Sequence, residues 1–491
     1  MNRILQWIGM AIIIAVFAAC SGSNDNDENV ALLAPTVELA AGDVATTLLT
    51  FTISPQHATR CAYVCIPKGE TEPSVQGVLS EGENINTQKV STVTVDGLKA
   101  GTVYVILVAV ENEKGTALQR LEMATAQEVV SDKSHTLLFY FMGNETGLTE
   151  DMDKNIQKVV TTAIEKQLIN DRQHIAIFYD RGDFTRLTKI GKDAEGRTKQ
   201  LTIQEYNKNV SCVTSEFIAD VVAKVKKELP ADSYGLVISS HGGGWVPSDV
   251  YDRHTAPTRF VGQDGKDWLE IPQLVEGLKG THFDYICFDE CFMASVEALY
   301  DLRTTTDHVV ASPIEVLSAG FPYPTILPQL FTPDHGLIEV CKAFMAFYRN
   351  SSNAIAGIHS GAVSLIDCSK LDALAAVMKQ VLALGGSKQP ALADIQGYEG
   401  FAPHLYFDFE QYVEQLIGTS GATYDAFNAA LKATVVYEDH TEKFYSAFGP
   451  NKGVISLSRS CGLNCHVNDP TRPGTHEAFL KTDWAKAIGA R

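Results

Sequence analysis

The chain predicts an α/β unit, with a mainly parallel central sheet flanked by helices, preceded by an all-β sandwich. Three observations carry this. Residues 34–126 alternate apolar with polar positions, are rich in Thr and Val, and carry turns at short intervals with no helical period. After residues 127–135 the texture changes to continuous apolar runs separated by helix-spaced segments, the pattern of right-handed βαβ crossovers. At 491 residues and 45% apolar composition the chain can bury more than one core, given a prior of ~150 residues per domain.

In chain order, Met1-Asn-Arg3 is a short positive segment followed by a mostly apolar run to Phe17. That run is short for a spanning helix, which needs about 20 residues. Phe17-Ala18-Ala19-Cys20 resembles a bacterial lipobox, with Phe17 where Leu is usual, and residues 21–28 form a polar tether. Cys20 is expected to be the diacylglyceryl anchor of an exported outer-membrane lipoprotein; a plain secretory signal is the alternative. Acidic residues soon after such a cysteine resemble a surface-export signal of some Gram-negative groups. The expected domains are therefore a signal at 1–20, a disordered tether at 21–33, the sandwich at 34–127 and the α/β unit at 135–491.

Within the sandwich, strands are expected at residues 47–54, 61–66, 91–95 and 102–110. Leu98-Lys-Ala-Gly-Thr-Val-Tyr104 resembles the tyrosine corner of fibronectin type III modules, which implies an immunoglobulin/fibronectin III-like sandwich acting as a spacer. In the α/β unit, strands are expected at 136–142, 174–179, 235–240, 285–288, 308–312 and 362–366. Helices are expected at 149–168, 214–229, 268–278, 292–303, 337–349 and 370–384. Met152, Ile156, Val159 and Ala163 carry the first at helical spacing, and Pro230 stops the second. The tail from 406 onward is mixed.

Composition excludes some functions. A formal charge of −19 argues against nucleic-acid binding, which needs a basic face. Ten cysteines less Cys20 leaves nine, so at least one thiol stays free. Cys61 and Cys65 would lie about 13 Å apart along a strand, too far for a mutual disulfide. Cys461-Gly-Leu-Asn-Cys465-His466 has three intervening residues, against two in haem attachment, so both pairs read as structural and no metal site is expected.

The chemistry concentrates at two strand ends. Gly235-Leu-Val-Ile-Ser-Ser240 runs into His241-Gly-Gly-Gly-Trp245, and Tyr285-Ile-Cys-Phe288 runs into Asp289-Glu290-Cys291. Functional groups collect beyond the carboxyl ends of parallel strands, so an imidazole and a thiol can meet there. A cysteine nucleophile needs a base beside it, because the thiolate attacks. Cys291 is expected at a helix start, whose free N–H groups favour an anion. Gly242 permits close approach of a substrate carbonyl, and its N–H with that of Cys291 would form an oxyanion hole.

Ser240-His241-Gly242-Gly243-Gly244-Trp245 and Phe288-Asp289-Glu290-Cys291-Phe292-Met293-Ala294 resemble the His-Gly and Asp-Ala-Cys motifs of clostripain-like peptidases, relatives of caspases, legumains and gingipains. The separation, 291 − 241 = 50 residues, suits that family. Ala311-Ser312 with Gly320-Phe-Pro-Tyr323 is similar to the segment lining its S1 pocket, and Leu480 to Ala487 to its C-terminal stretch. The resemblance implies a caspase-like fold, His241 as general base and acid, Cys291 as nucleophile, and protein or peptide substrates. It makes Asp289, Ser312, Glu315 and Ala319 the candidates for substrate binding, with a P1 Arg or Lys by inheritance. Two departures stand out: Glu290 replaces a small residue, where a negative charge would raise the thiol pKa, and Ala319 stands where the family often has an aspartate. No cofactor is expected; a calcium requirement stays open, with no motif to support it. Residues 246–266, with Arg253, Arg259 and Lys266, have the composition of an exposed loop where such enzymes are often cut. The competing readings are a non-catalytic surface or adhesion lipoprotein with a degenerate peptidase domain, and a transpeptidase.

Overall fold

The computed structural model describes residues 33–126, 133–246, 260–350, 353 and 357–491. Cys20, its signal and most of the tether, and Arg253 and Arg259, lie outside the described residues. Contacts divide the chain into an N-terminal unit drawn from residues up to Met123 and a larger unit that includes Ala124–Arg491.

The N-terminal unit has two sheets. Thr36–Val44, Leu49–Gln56 and Ser91–Val95 form one, in that order. Glu83–Asn84, Arg60–Pro67, Val103–Asn112 and Gly115–Ala124 form the other. Burial alternates along Leu49–Gln56, as period-two patterning requires. One expectation is corrected: the strands are joined by a helix, Val75–Glu81, capped by Ser74 through the Gly77 N–H. Its buried Val78 and Leu79 pack on Val105, Leu107 and Ala109. Two buried residues in seven are too few to print a 3.6-residue period on the sequence.

The larger unit is built on a nine-stranded sheet. Its strands are β1 (His135–Met142), β2 (Gln173–Asp180), β3 (Thr185–Lys192), β4 (Thr198–Tyr206), β5 (Ser233–Ser239), β6 (Phe283–Asp289), β7 (Thr306–Ala311), β8 (Ala362–Asp367) and β9 (Val435–His440). They lie in the order β4-β3-β2-β1-β5-β6-β7-β8-β9. The pairings β2-β1, β1-β5, β5-β6 and β6-β7 are parallel. Both flanks are antiparallel: β2-β3-β4 on one side and β7-β8-β9 on the other. The sheet is therefore mixed, with a parallel centre, which corrects the expectation of a mainly parallel one. β4 carries no sequence signal because it is at most half-buried along its length and has no apolar run.

The central strands are apolar on both faces because both are covered. All eight residues of β1 are buried. One face packs α1 (Thr149–Glu165), burying Met152, Ile156, Val159 and Ala163 as their spacing predicts. The other packs α2 (Ser215–Glu228) and the short helices α3 (Ile271–Gly277) and α4 (Val296–Leu302). All nine described cysteines are free thiols. Among the described residues no helix is long and apolar enough to cross a membrane.

Candidate active site

The chain leaves β1 toward β2 on one side and returns as β5 on the other, so the crevice beyond β1 and β5 is a topological switch point. β5 and β6 are parallel neighbours in which Ser239 pairs with Asp289. His241 and Cys291 each follow two residues beyond that pair, so register alone brings imidazole and thiol to one level at the carboxyl edge. The loops then touch. A Cβ at Gly242 would lie 2.5 Å from the Cys291 carbonyl oxygen, 2.7 Å from Glu290 Cβ and 3.0 Å from the Cys291 nitrogen, so only glycine lets these backbones meet.

His241 is oriented from the loop after β1. Its Nε2 lies 2.7 Å from the Thr146 carbonyl oxygen. A carbonyl only accepts, so Nε2 carries the proton and Nδ1 presents its lone pair. Burial lowers the proton affinity of His241, and the Thr146 bond opposes this in part. The ring is thus neutral and basic at physiological pH.

Cys291 Sγ is 3.6 Å from the Val316 carbonyl oxygen. Burial pushes its thiol up, Glu315 adds to this, and Glu290 and Asp289 contribute less. Cys291 does not open a helix as expected: the N-cap of α4 is Ser295, 295 − 291 = 4 residues further on. Phe292 instead turns the chain at φ 61°. The N–H groups of Phe292 and Ala294, which a helix would leave free, are taken by the carbonyls of Ile314 (3.0 Å) and Ser312 (3.0 Å) beyond β7. Helix-dipole activation of the thiol is therefore lost. Among the described residues no acceptor is bonded to the N–H of Gly242 or Cys291, while the next donor, Gly243, is held by the Phe260 carbonyl at 2.7 Å.

His241 and Cys291 line one cavity of about 170 Å³, whose walls include Asp151, Asp289, Glu290 and Glu315 and, among the described residues, no Lys or Arg. Asp289 lines it and is buried. It accepts from the Tyr323 hydroxyl at 2.7 Å, and a Cβ at Gly320, which has φ +65°, would come within 2.5 Å of its Oδ2. Burial pushes its carboxyl up to about 6, against the opposing pull of Tyr323, the Phe321 N–H, Lys158 and Ser239. Glu315 is buried rather than a solvated loop charge: it accepts from the Ser446 hydroxyl and from the Ala447 N–H at 2.9 Å, and burial pushes it up to about 8. Glu290 is 1% exposed, and among the described residues neither of its carboxyl oxygens has a hydrogen-bond partner. Burial, then Asp289, pushes its carboxyl well up.

Two residues expected to bind substrate are not on the cavity wall. Ser312 is buried and its Oγ accepts from the Ile314 N–H at 3.2 Å, a turn-stabilising role. Ala319 is exposed, and its neighbour Gly320 lines the cavity instead. Gly242 also lies off the wall, against the Cys291 backbone. Of the span expected to be nickable, residues 260–264 are buried and Lys266 sits exposed in a tight hairpin.

One group among the described residues has the donor set for a metal ion: Asp180, Cys212 and Asp264, their ligand atoms within 4.8 Å of one another. These atoms already satisfy one another and the fold. Asp180 accepts from Thr185 at 2.7 Å, and Asp264 accepts from Asn144 at 2.7 Å and from the Cys212 N–H at 2.8 Å. Burial pushes the Asp180 carboxyl up to about 6.

Fold and site together define a cysteine peptidase of caspase-like architecture. The family model for clostripain, peptidase family C11, matches residues 118–447, that is 447 − 118 + 1 = 330 of 491 residues. The chain belongs to the clostripain family. Among solved structures, a secreted C11 cysteine protease from Bacteroides thetaiotaomicron, in complex with an irreversible peptide inhibitor, is 25% identical at a TM-score of 0.63, covering 72% of this chain and 98% of that one. An inactive zymogen C11 protease from Parabacteroides distasonis is 28% identical at a TM-score of 0.63, covering 73% and 99%. No curated protein matches.

Residues with no signal in the sequence also shape the site. Thr146, Tyr406 and Asn464 reach it from 95, 163 and 172 residues away from their partners. None sits in a motif.

Proposed function

We propose that the protein is an exported, lipid-anchored endopeptidase that works through a His241–Cys291 dyad and cleaves after Arg or Lys. The observation that carries it is the shared register of β5 and β6, which sets His241 and Cys291 at equal offsets beyond paired residues.

In this reading the resting thiol is protonated, since burial and three carboxyls oppose the thiolate. His241 Nδ1 takes the Cys291 proton as sulfur attacks the substrate carbonyl carbon. The N–H groups of Gly242 and Cys291 receive the oxyanion, and loss of one such donor costs about 2.7–4 kcal/mol. The imidazolium returns its proton to the leaving amine, and water then hydrolyses the thioester by the same route. The Thr146 carbonyl holds the Nε2 proton throughout.

Basic P1 specificity is supported by the cavity, whose described walls carry four carboxyl groups and no Lys or Arg; with burial pushing Glu290 well up and Glu315 up to about 8, Asp289 is the group that would meet a P1 cation. Asp289 in the wall offsets the missing acid at Ala319. Self-cleavage belongs to the same reading, and Arg253 is its favoured site. Phe260, which follows Arg259, is buried with its ring centroid 3.6 Å from that of Trp268, and Lys266 is held in a hairpin. Export is favoured by the secreted relative, and anchoring by the lipobox-like sequence ending at Cys20. The fibronectin III-like identity of residues 34–127, the domain bounds and the spacer role belong to this proposal too.

The test is labelling with acyloxymethyl ketones that differ in P1, read by mass spectrometry on the intact chain. Arg and Lys probes should modify Cys291, and Cys291→Ala should abolish labelling and turnover. Cys287→Ala, inside β6, should keep both. Turnover by Cys291→Ala equal to that of the parent would end the proposal.

A further inference from the structure

Resting on the dyad reading above, we infer that Tyr406 is a positioning residue that clamps the two loops carrying the oxyanion donors. The Tyr406 hydroxyl donates to the Gly243 carbonyl oxygen at 2.6 Å, on the residue directly after Gly242. The ring of the same side chain stacks on Phe292, directly after Cys291, with centroids 4.5 Å apart and planes 3° from parallel. One buried aromatic thus holds the residue that follows each donor.

The arrangement needs a clamp. Phe292 has φ 61°, a region that costs a residue with a Cβ free energy and persists only where its surroundings impose it. Those surroundings are the Tyr406 stack, the Ile314 carbonyl on the Phe292 N–H at 3.0 Å, and the Asn464 Nδ2, which donates to the Phe292 carbonyl at 3.2 Å. On the other loop, Gly243 is fixed at both polar atoms, its N–H by Phe260 and its carbonyl by Tyr406. The loops themselves meet at backbone contact, Gly242 on Cys291, with no room for a Cβ. Their donor N–H groups keep a common direction only while both flanking residues stay in place. A core-filling role for Tyr406, 1% exposed, would be met equally by phenylalanine. The hydroxyl is therefore the separable part.

Tyr406→Phe in the full chain tests this. It keeps the stack and removes the bond to Gly243, freeing that peptide to turn. Expected is a fall in kcat of about ten- to a hundred-fold, below the 10²–10³ of losing a donor outright, with KM within about twofold. Alkylation of Cys291 by iodoacetamide forms no oxyanion and needs only His241 and the thiol, so its rate should match the parent. A kcat equal to the parent's overturns the inference. Alkylation that slows in step with kcat also overturns it, because the hydroxyl would then act on the thiol or the fold at large. Cys291→Ala, run alongside, separates the levels: if it turns over substrate, the dyad reading has failed, whereas an inactive Cys291→Ala beside a fully active Tyr406→Phe condemns the clamp alone.

Discussion

Gly242→Ala is the sharpest single test of how the two loops meet. Glycine is needed here for space. The added Cβ would stand 2.5 Å from the Cys291 carbonyl oxygen and 3.0 Å from its nitrogen, whereas ordinary contact begins at 3.4 Å. The shortfall is 3.4 − 2.5 = 0.9 Å, and the obstructing atoms are the Cys291 backbone and the Glu290 Cβ fixed to it, which cannot swing aside as the far end of a flexible side chain would. The loops must therefore separate by nearly 1 Å. A misplacement of about 1 Å near the reacting atoms costs on the order of 10²-fold, or about 2.7 kcal/mol. Overpacking adds a stability cost of about 1–3 kcal/mol. The assay is kcat and KM on a fluorogenic peptide with Arg at P1, with a thermal melt on the same sample. The expected result is kcat down about 10²-fold in protein that is still folded at the assay temperature. Turnover within about threefold of the parent would refute the reasoning, because the donors would then tolerate displacement.

Three further outcomes are expected. Asp289→Asn should slow labelling by an Arg-P1 ketone by about 10²–10³-fold and leave an apolar-P1 ketone unaffected; equal loss with both probes would show that Asp289 supports the fold and does not read P1. Glu290→Gln should change the pH dependence of stability: a carboxyl raised in the folded state binds more protons there than in the unfolded chain, so its contribution is fully present below the ordinary carboxylate range and is lost as pH rises, at about 1.4 kcal/mol per unit. Urea unfolding of parent and variant should thus agree at acid pH and diverge in the variant's favour at neutral pH, and a gap independent of pH would contradict this. Cys20→Ser should release the protein from membranes or block its maturation and remove incorporation of an alkyne fatty acid, whereas unchanged fractionation would leave a plain secretory signal.

The parallel centre of the sheet was legible because strands buried on both faces read as apolar runs, as in β1, whose eight residues are all covered. α1 was legible because its buried residues keep helical spacing. The elements missed had weak one-dimensional signals: β4 is at most half-buried, and Val75–Glu81 buries only two residues. α4 starts four residues later than the sequence predicts, at Val296 rather than Phe292, because Phe292, Met293 and Ala294 are apolar, and apolarity does not say whether a backbone N–H is free. Here the loop after β7 takes two of them.

The sequence by itself determined the two groups on which the proposed chemistry rests: a histidine before three glycines and a cysteine after an apolar strand, fifty residues apart (291 − 241 = 50). Tertiary structure decided how those groups are held and charged. The proton on His241 Nε2 is set by Thr146, the walls of the cavity by Asp289 and Glu315 rather than Ser312 and Ala319, and the loop contact by Tyr406 and Asn464. The physical reason is range. Strand and helix periodicity is written over a few neighbouring residues, whereas hydrogen-bond partners and burial depend on chain brought in from 95 to 172 residues away, which no local pattern encodes.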